Sequence, residues 1–246
     1  QDYPDVRLYP DGPPVLPYDV TGYTLPLQMG VRYVAISRPF DVSQLSPISA
    51  VPPDVPASIP VAADAFVLNH EINKTAILVN RLLARNVPVY RVPQAIDFNG
   101  TLISSGAFAV SASPEVRTTL MELNDELSLA IAADPAGFSV DDSAVPLTAP
   151  RVGLYRSWVP SIDEGWTRWI LEEFDFTYVR LENDAVRGGN LRDEYDVIIL
   201  PAQLTLDQLV EGRAPGEIPE AYVGGIGDEG VDNLRQFVRD GGTLIT

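Results

Sequence analysis

The single histidine is the first place to look for chemistry. His70 is followed by Glu71, the opening of the H-E-x-x-H zinc motif, but position 74 is Lys74 where the second histidine belongs, and position 73 is Asn73 where an H-x-x-E pair needs its glutamate. A zinc site needs three or more convergent ligands, usually with histidine among them. One histidine does not supply that, and His70 reads as a helix-start residue. No Ser-His-Asp triad is credible either, because the chain has no G-x-S-x-G elbow to present a serine. There is no cysteine, which removes disulfides, thiolate metal sites and a cysteine nucleophile.

A second constellation is Gly225-Ile226-Gly227-Asp228-Glu229-Gly230, which matches G-x-G-x-x-G. A dinucleotide fingerprint follows a buried strand at the start of a βαβ unit. Here the pattern follows Ile218-Pro219-Glu220-Ala221-Tyr222 and opens the helix of a later unit, with Asp228 and Glu229 where a pyrophosphate would sit. It reads as a loop with an acidic helix start. Asn73-Lys74-Thr75 and Asn99-Gly100-Thr101 match the N-glycosylation pattern. The first falls in a helix and the second in a tight turn, so chance explains both.

The third constellation is Tyr155, Arg156, Ser157 and Trp158, at the carboxyl end of an apolar run, with Asp163 and Glu164 opening the helix beside it and Gln203 following a later strand at the same edge. In open α/β sheets ligands bind at that edge. The candidate binding residues are therefore Tyr155, Arg156, Trp158, Asp163, Glu164 and Gln203, lining a crevice. The competing and favoured reading is that Trp158 and Trp166 fill a domain interface while Arg156 pairs with a nearby acid. No catalytic or metal-ligating residue is assigned.

The elements that position this cluster are readable from residue 151 onward. Val152-Gly153-Leu154-Tyr155 is a short strand, and Ser161 stands three residues before Glu164, the spacing of a capping box. Ile162, Trp166, Trp169 and Ile170 recur at helical spacing and give one apolar stripe. Strands follow at Thr177 to Leu181 and at the fully apolar Val197 to Leu200, then a long connection, Ala202 to Gly225. A helix with Val231, Leu234, Phe237 and Val238 comes next, with Gly241 as its C-cap, and a strand begins at Thr243. This is the first half of a doubly wound parallel sheet, an α/β fold.

Upstream, residues 61–148 predict a small α/β unit. Its strands are Ala65 to Leu68, Val87 to Val92 and Gly106 to Ser111, with a hairpin flanking Asn99-Gly100. One helix carries Ile72, Ala76, Val79 and Leu83; a second starts at Ser113-Pro114-Glu115 and carries Val116, Leu120, Leu123, Leu127 and Ile131. The acidic stretch from Gly137 to Pro150 reads as a linker. Residues 1–60 are rich in proline and interleaved with tyrosines, so they predict an extended segment laid over a neighbouring domain, with a helical turn at Thr24 to Met29 and a strand at Tyr33 to Ile36.

The formal net charge is −17 over 246 residues, and Lys74 is the only lysine among 17 basic residues. Such a chain is repelled by phosphate backbones and anionic membrane surfaces, so nucleic acid is excluded as an expected partner. No apolar run approaches the roughly 18 residues needed to span a bilayer. The chain starts without an initiator methionine and stops inside a reading strand. Both features predict a piece of a longer protein, with the missing strands supplied by later residues or by another chain.

Several phrases carry a family resemblance. They are Pro17-Tyr18-Asp19-Val20-Thr21 with Thr24-Leu25-Pro26-Leu27-Gln28-Met29-Gly30-Val31, and Gly153-Leu154-Tyr155-Arg156-Ser157-Trp158 with Asp163-Glu164-Gly165-Trp166-Thr167-Arg168-Trp169. Gly189-Asn190-Leu191-Arg192 with Tyr195-Asp196-Val197-Ile198-Ile199-Leu200-Pro201, and Gly224-Gly225-Ile226-Gly227 with Gly241-Gly242-Thr243-Leu244-Ile245, extend it over nearly the full length. The chain resembles the region downstream of the catalytic domain in large bacterial zinc carboxypeptidase-like proteins. Its second half, 151–246, is similar to a flavodoxin-like, class I glutamine amidotransferase-like domain.

The resemblance implies a secreted, periplasmic or cell-surface parent metallopeptidase whose zinc sits in a catalytic domain elsewhere, with that upstream peptidase domain as partner. The zinc ligands of that family have no matching positions here, and the amidotransferase cysteine has none either. The expected function is an accessory, non-catalytic region that supports or shapes the peptidase domain. The alternative is a module binding a small molecule, glycan or peptide in the crevice near Tyr155 to Trp158.

Overall fold

The computed structural model describes residues 6–15, 25–29, 33–43, 45–48, 50, 59, 61, 63–98, 101–134, 144–159, 161–202 and 205–246. It is a mixed α/β protein whose described strands form a five-stranded sheet, a four-stranded sheet and a two-stranded hairpin.

A short helix, α1 (Leu25–Gln28), matches the expected helical turn. Residues 33–36 form no strand: Tyr33, Val34 and Ile36 are exposed. An apolar run becomes a strand only where another backbone takes up its hydrogen bonds.

The five-stranded sheet is antiparallel throughout, in the order β6 (Ile131–Asp134), β1 (Ala65–Leu68), β5 (Phe108–Ser111), β2 (Tyr90–Arg91), β7 (Val145–Pro146). Its interior strand β1 is buried at every position. Helices α2 (Lys74–Ala84) and α3 (Pro114–Leu127) cover one face, where Phe66, Leu68, Leu78, Leu82, Val110, Leu120 and Leu123 share a core. α3 begins as expected, with Ser113 Oγ accepting from Val116 N at 3.1 Å.

Three assignments differ from the sequence reading. Ile131, expected on the second helix, lies beyond its end: the chain turns left-handed at Ser128 and Ile131 opens strand β6 beside β1. α2 buries Leu78, Val79 and Leu82 and leaves Ile72, before its first turn, 40% exposed, so the buried stripe is turned about one residue from the expected one. Val145–Pro146, expected as linker, pairs with β2 as an edge strand, where proline's missing N–H costs nothing. The hairpin pairs β3 (Ile96–Phe98) with β4 (Thr101–Ile103). Its expected turn residues, Asn99 and Gly100, lie outside the described residues.

The four-stranded sheet is parallel, in the order β11 (Thr243–Ile245), β10 (Val197–Ile199), β8 (Val152–Tyr155), β9 (Tyr178–Leu181). Side chains alternate between its faces. Leu154, Val197 and Ile199 share one core with Leu171 of α4 (Ile162–Glu173). Tyr155, Ile198 and Leu200 share another with Val186 of α5 (Asn183–Gly188), Leu191 of α6 (Leu191–Glu194) and Leu234 and Phe237 of α8 (Gly227–Arg239). Helices on both faces make the unit doubly wound. α8 ends as expected: Gly241 takes φ +87°, with Gly241 N donating to Val238 O and Gly242 N to Phe237 O.

α4 sits the other way round from what its apolar residues suggest. Ile162, Trp166, Trp169 and Ile170 do form one stripe, but it faces solvent, with Trp166 62% and Ile162 79% exposed. Turned toward the sheet instead are Leu171 and the carboxylate-bearing Glu164, both buried. The capping box is half formed: Ser161 Oγ accepts from Glu164 N at 3.2 Å, and the Glu164 carboxylate lies 3.6 Å from Arg168 Nε.

Candidate functional site

At the carboxyl edge of the parallel sheet, the strand order places β8 between β9 and β10, so the connections leaving β8 and β10 run in opposite directions. Such a switch point opens a crevice between them. The connection after β8 supplies Arg156, Ser157 and Trp158; the connection after β9 supplies Glu182, Asn183 and Arg187; the long connection after β10 returns with Tyr222. Together these line a cleft of about 90 Å³.

The floor is a chain of hydrogen bonds. Tyr155 is fully buried and its hydroxyl donates to Asn183 Oδ1 at 2.7 Å, while Asn183 Nδ2 donates to Gly224 O at 3.2 Å. Burial pushes the Tyr155 hydroxyl up to about 12, so it is a neutral donor at physiological pH. Arg187 donates to Gly225 O at 2.5 Å and pairs with Asp184. Asn233 of α8 holds α5 from behind, donating to Val186 O and Arg187 O. Ser157 is spent locally, its hydroxyl donating to Val159 O at 2.7 Å.

One wall is aromatic. Trp158 and Tyr222 stack face to face, yet Trp158 remains 49% exposed. On the far side of Trp158 lies a wider recess lined by Arg213, Glu217 and Ile218. Trp158 and Trp166 are therefore both open to solvent, and Arg156 makes no ion pair among the described residues.

Of the residues singled out in the sequence, Arg156 and Trp158 line the cleft and Tyr155 lies beneath it. Asp163 and Glu164 belong to α4 and are not part of its lining; Asp163 is exposed and Glu164 is turned under the helix. Gln203 lies outside the described residues. The sequence reading missed Glu182, Asn183, Arg187 and Tyr222. The signal for Glu182 and Asn183 was present: they directly follow the carboxyl end of β9, the sheet edge that also carries Arg156, whereas Arg187 lies further along, in the last turn of α5.

The G-x-G-x-x-G run has a packing role. A Cβ on Gly225 would meet Leu209 O at 2.3 Å, the carbonyl end of α7 (Leu206–Val210), and one on Gly230 would meet Ile226 Cβ at 2.7 Å with Val186 of α5 next. These glycines let α8 approach α7 and α5. His70 and Glu71 stand before α2, where Ser104 Oγ donates to Glu71 Oε1 at 2.6 Å. Among the described residues, no three His, Cys, Asp or Glu side chains converge as a metal site, and no helix is long and apolar enough to cross a membrane. Thr75, the hydroxyl residue of the first glycosylation pattern, is buried and donates to Asn69 O.

Compared with known proteins, the chain matches no family model, no curated protein and no solved structure.

Proposed function

We propose that this chain is an accessory, non-catalytic region of a secreted zinc carboxypeptidase-like protein, one that packs against the peptidase domain and shapes access to it. The observation that carries the reading is the outer face of α4. Ile162, Trp166, Trp169 and Ile170 form a continuous apolar stripe in solvent, and Trp166 and Trp169 meet edge to face with centroids 5.8 Å apart. Two exposed tryptophans on one helix turn are uncommon on a surface with nothing to cover, and tryptophan is enriched among the residues that dominate protein interfaces. The resemblance supplies the occupant: a peptidase domain of the same polypeptide, held close enough that a modest apolar contact suffices.

The test is co-expression with that peptidase domain, followed by sedimentation and calorimetry. A one-to-one complex is expected, weakened at least about tenfold by Trp166→Ala with Trp169→Ala, as for residues at an interface centre. No complex, or one indifferent to both substitutions, overturns the reading.

A further inference from the structure

The strand-end cleft contains two charged groups that the protein itself does not use. Arg156 and Glu182 both line it, and among the described residues neither side chain has a hydrogen-bond or ion-pair partner. Their backbones are bonded, Arg156 N donating to Leu181 O and Glu182 O accepting from Ala185 N and Val186 N, but the two side chains do not pair with one another. Glu182 stands at the N-cap of α5, where a carboxylate would normally accept from the first turn, but its side chain makes no capping bond. The other charged pair in the lining, Arg187 with Asp184, is already neutralised. What remains is one guanidinium and one carboxylate, set apart in the same small space, beside the half-exposed Trp158–Tyr222 stack.

The complement of a separated positive and negative pair is a ligand carrying both charges. A planar guanidinium matches a carboxylate through two parallel hydrogen bonds. A carboxylate facing the same space disfavours a dianion, as does the chain's net charge of −17. A cleft of about 90 Å³ is well below the roughly 300–1,000 Å³ that encloses a drug-sized ligand, so it takes one residue-sized group. We propose that this cleft binds a small zwitterion of the α-amino acid class, its carboxylate on Arg156, its ammonium toward Glu182 and its side chain along the Trp158–Tyr222 wall.

The site is independent of the docking reading, since an amino acid at the strand ends leaves the outer face of α4 free. Its test needs no partner protein. Titration calorimetry of the chain with L-phenylalanine should show one-to-one binding. Phenethylamine, which lacks the carboxylate, and hydrocinnamate, which lacks the ammonium, should each bind at least about tenfold more weakly, and inorganic phosphate more weakly still. Arg156→Gln should weaken phenylalanine and hydrocinnamate but leave phenethylamine unchanged; Glu182→Gln should do the reverse, weakening phenylalanine and phenethylamine. Both residues are exposed and unpaired, so both variants should melt with the wild type; if either does not, the ligand series on the wild-type chain decides alone. The proposal is overturned if L-phenylalanine and L-alanine both fail to bind, if phosphate binds more tightly than either, or if removing a ligand charge changes nothing.

Discussion

Trp158 and Tyr222 lie face to face, ring centroids 3.4 Å apart and planes 9° from parallel, and this contact joins the connection leaving β8 to the one leaving β10. Ser161 Oγ adds a second tie across the same gap, donating to Ala202 O at 3.3 Å. Tyr222→Ala should therefore cost about 1 kcal/mol, the scale of an aromatic pair. It should also speed hydrogen exchange at the amides of Tyr222 and Val223, which close turns onto Pro219 O and Glu220 O. Tyr222→Phe keeps the ring and should behave as wild type. Urea unfolding and exchange measurements check this; equal losses in the two variants would show that the stack holds nothing.

The orientation of α4 makes a sharper prediction. Leu171 is buried against Leu154 and Ile199, so Leu171→Ala should cost about 2–4 kcal/mol as a cavity. Trp166→Ala and Trp169→Ala, removing far larger side chains from solvent-facing positions, should each cost only about 0.5–1.5 kcal/mol, the worth of their edge-to-face contact. The reverse order in denaturant melts would mean that the helix is turned the other way.

At the amino ends of the strands, Asp196 accepts from the Arg151 backbone N–H at 2.9 Å and from both the Arg151 and Arg192 guanidinium groups. These bonds, those of the Arg151 side chain foremost, hold its carboxyl well below the usual carboxylate range. A depressed folded value stabilises the protein above the ordinary value of about 4 and is lost as pH falls toward the folded one. Asp196→Asn should cost up to about 1 kcal/mol at neutral pH, the range for a partly exposed pair. The gap between variant and wild type should close as the pH of the unfolding series falls below about 4. A gap that stays constant down to acid would show that the ionised Asp196 carboxylate contributes nothing through Arg151 and Arg192.

Tyr155 carries the opposite sign. Burial raises its hydroxyl from about 10 to about 12, so its contribution is fully present below about pH 10 and is lost as pH rises through the folded value. Tyr155→Phe forfeits the bond to Asn183 and should cost about 1 kcal/mol at pH 7. Above pH 10 the wild type should lose stability that the variant keeps, and the two unfolding curves should converge.

Much of the parallel unit was legible because its signals are local. The apolar runs at Val152 and Val197, the cap at Ser161 and the stop at Gly241 each depend on a few adjacent residues. Periodicity announced the stripe of Ile162, Trp166, Trp169 and Ile170 but carries no information about what the stripe faces. The structure gave the sheet side to Leu171 and Glu164 instead. The cleft was half legible for a similar reason. Arg156 and Trp158 sit at a strand end that the residue pattern marks, whereas Tyr222 arrives from a connection whose path depends on the close approach of Gly225 to α7.

The apolar face of α4 also governs how the chain behaves in bulk solution. It is carried by a molecule of net charge −17, so two copies approaching face to face meet mutual repulsion that reaches about 30 Å at 0.01 M ionic strength and only about 3 Å at 1 M. The same stripe that is kept apart in dilute buffer becomes adhesive in brine, where screening removes the barrier and excluded salts such as sulfate strengthen apolar burial. Its colloidal stability should thus follow the ionic medium, with light scattering of the isolated chain expected to stay flat at low salt and to rise with salt only while Trp166 and Trp169 are present.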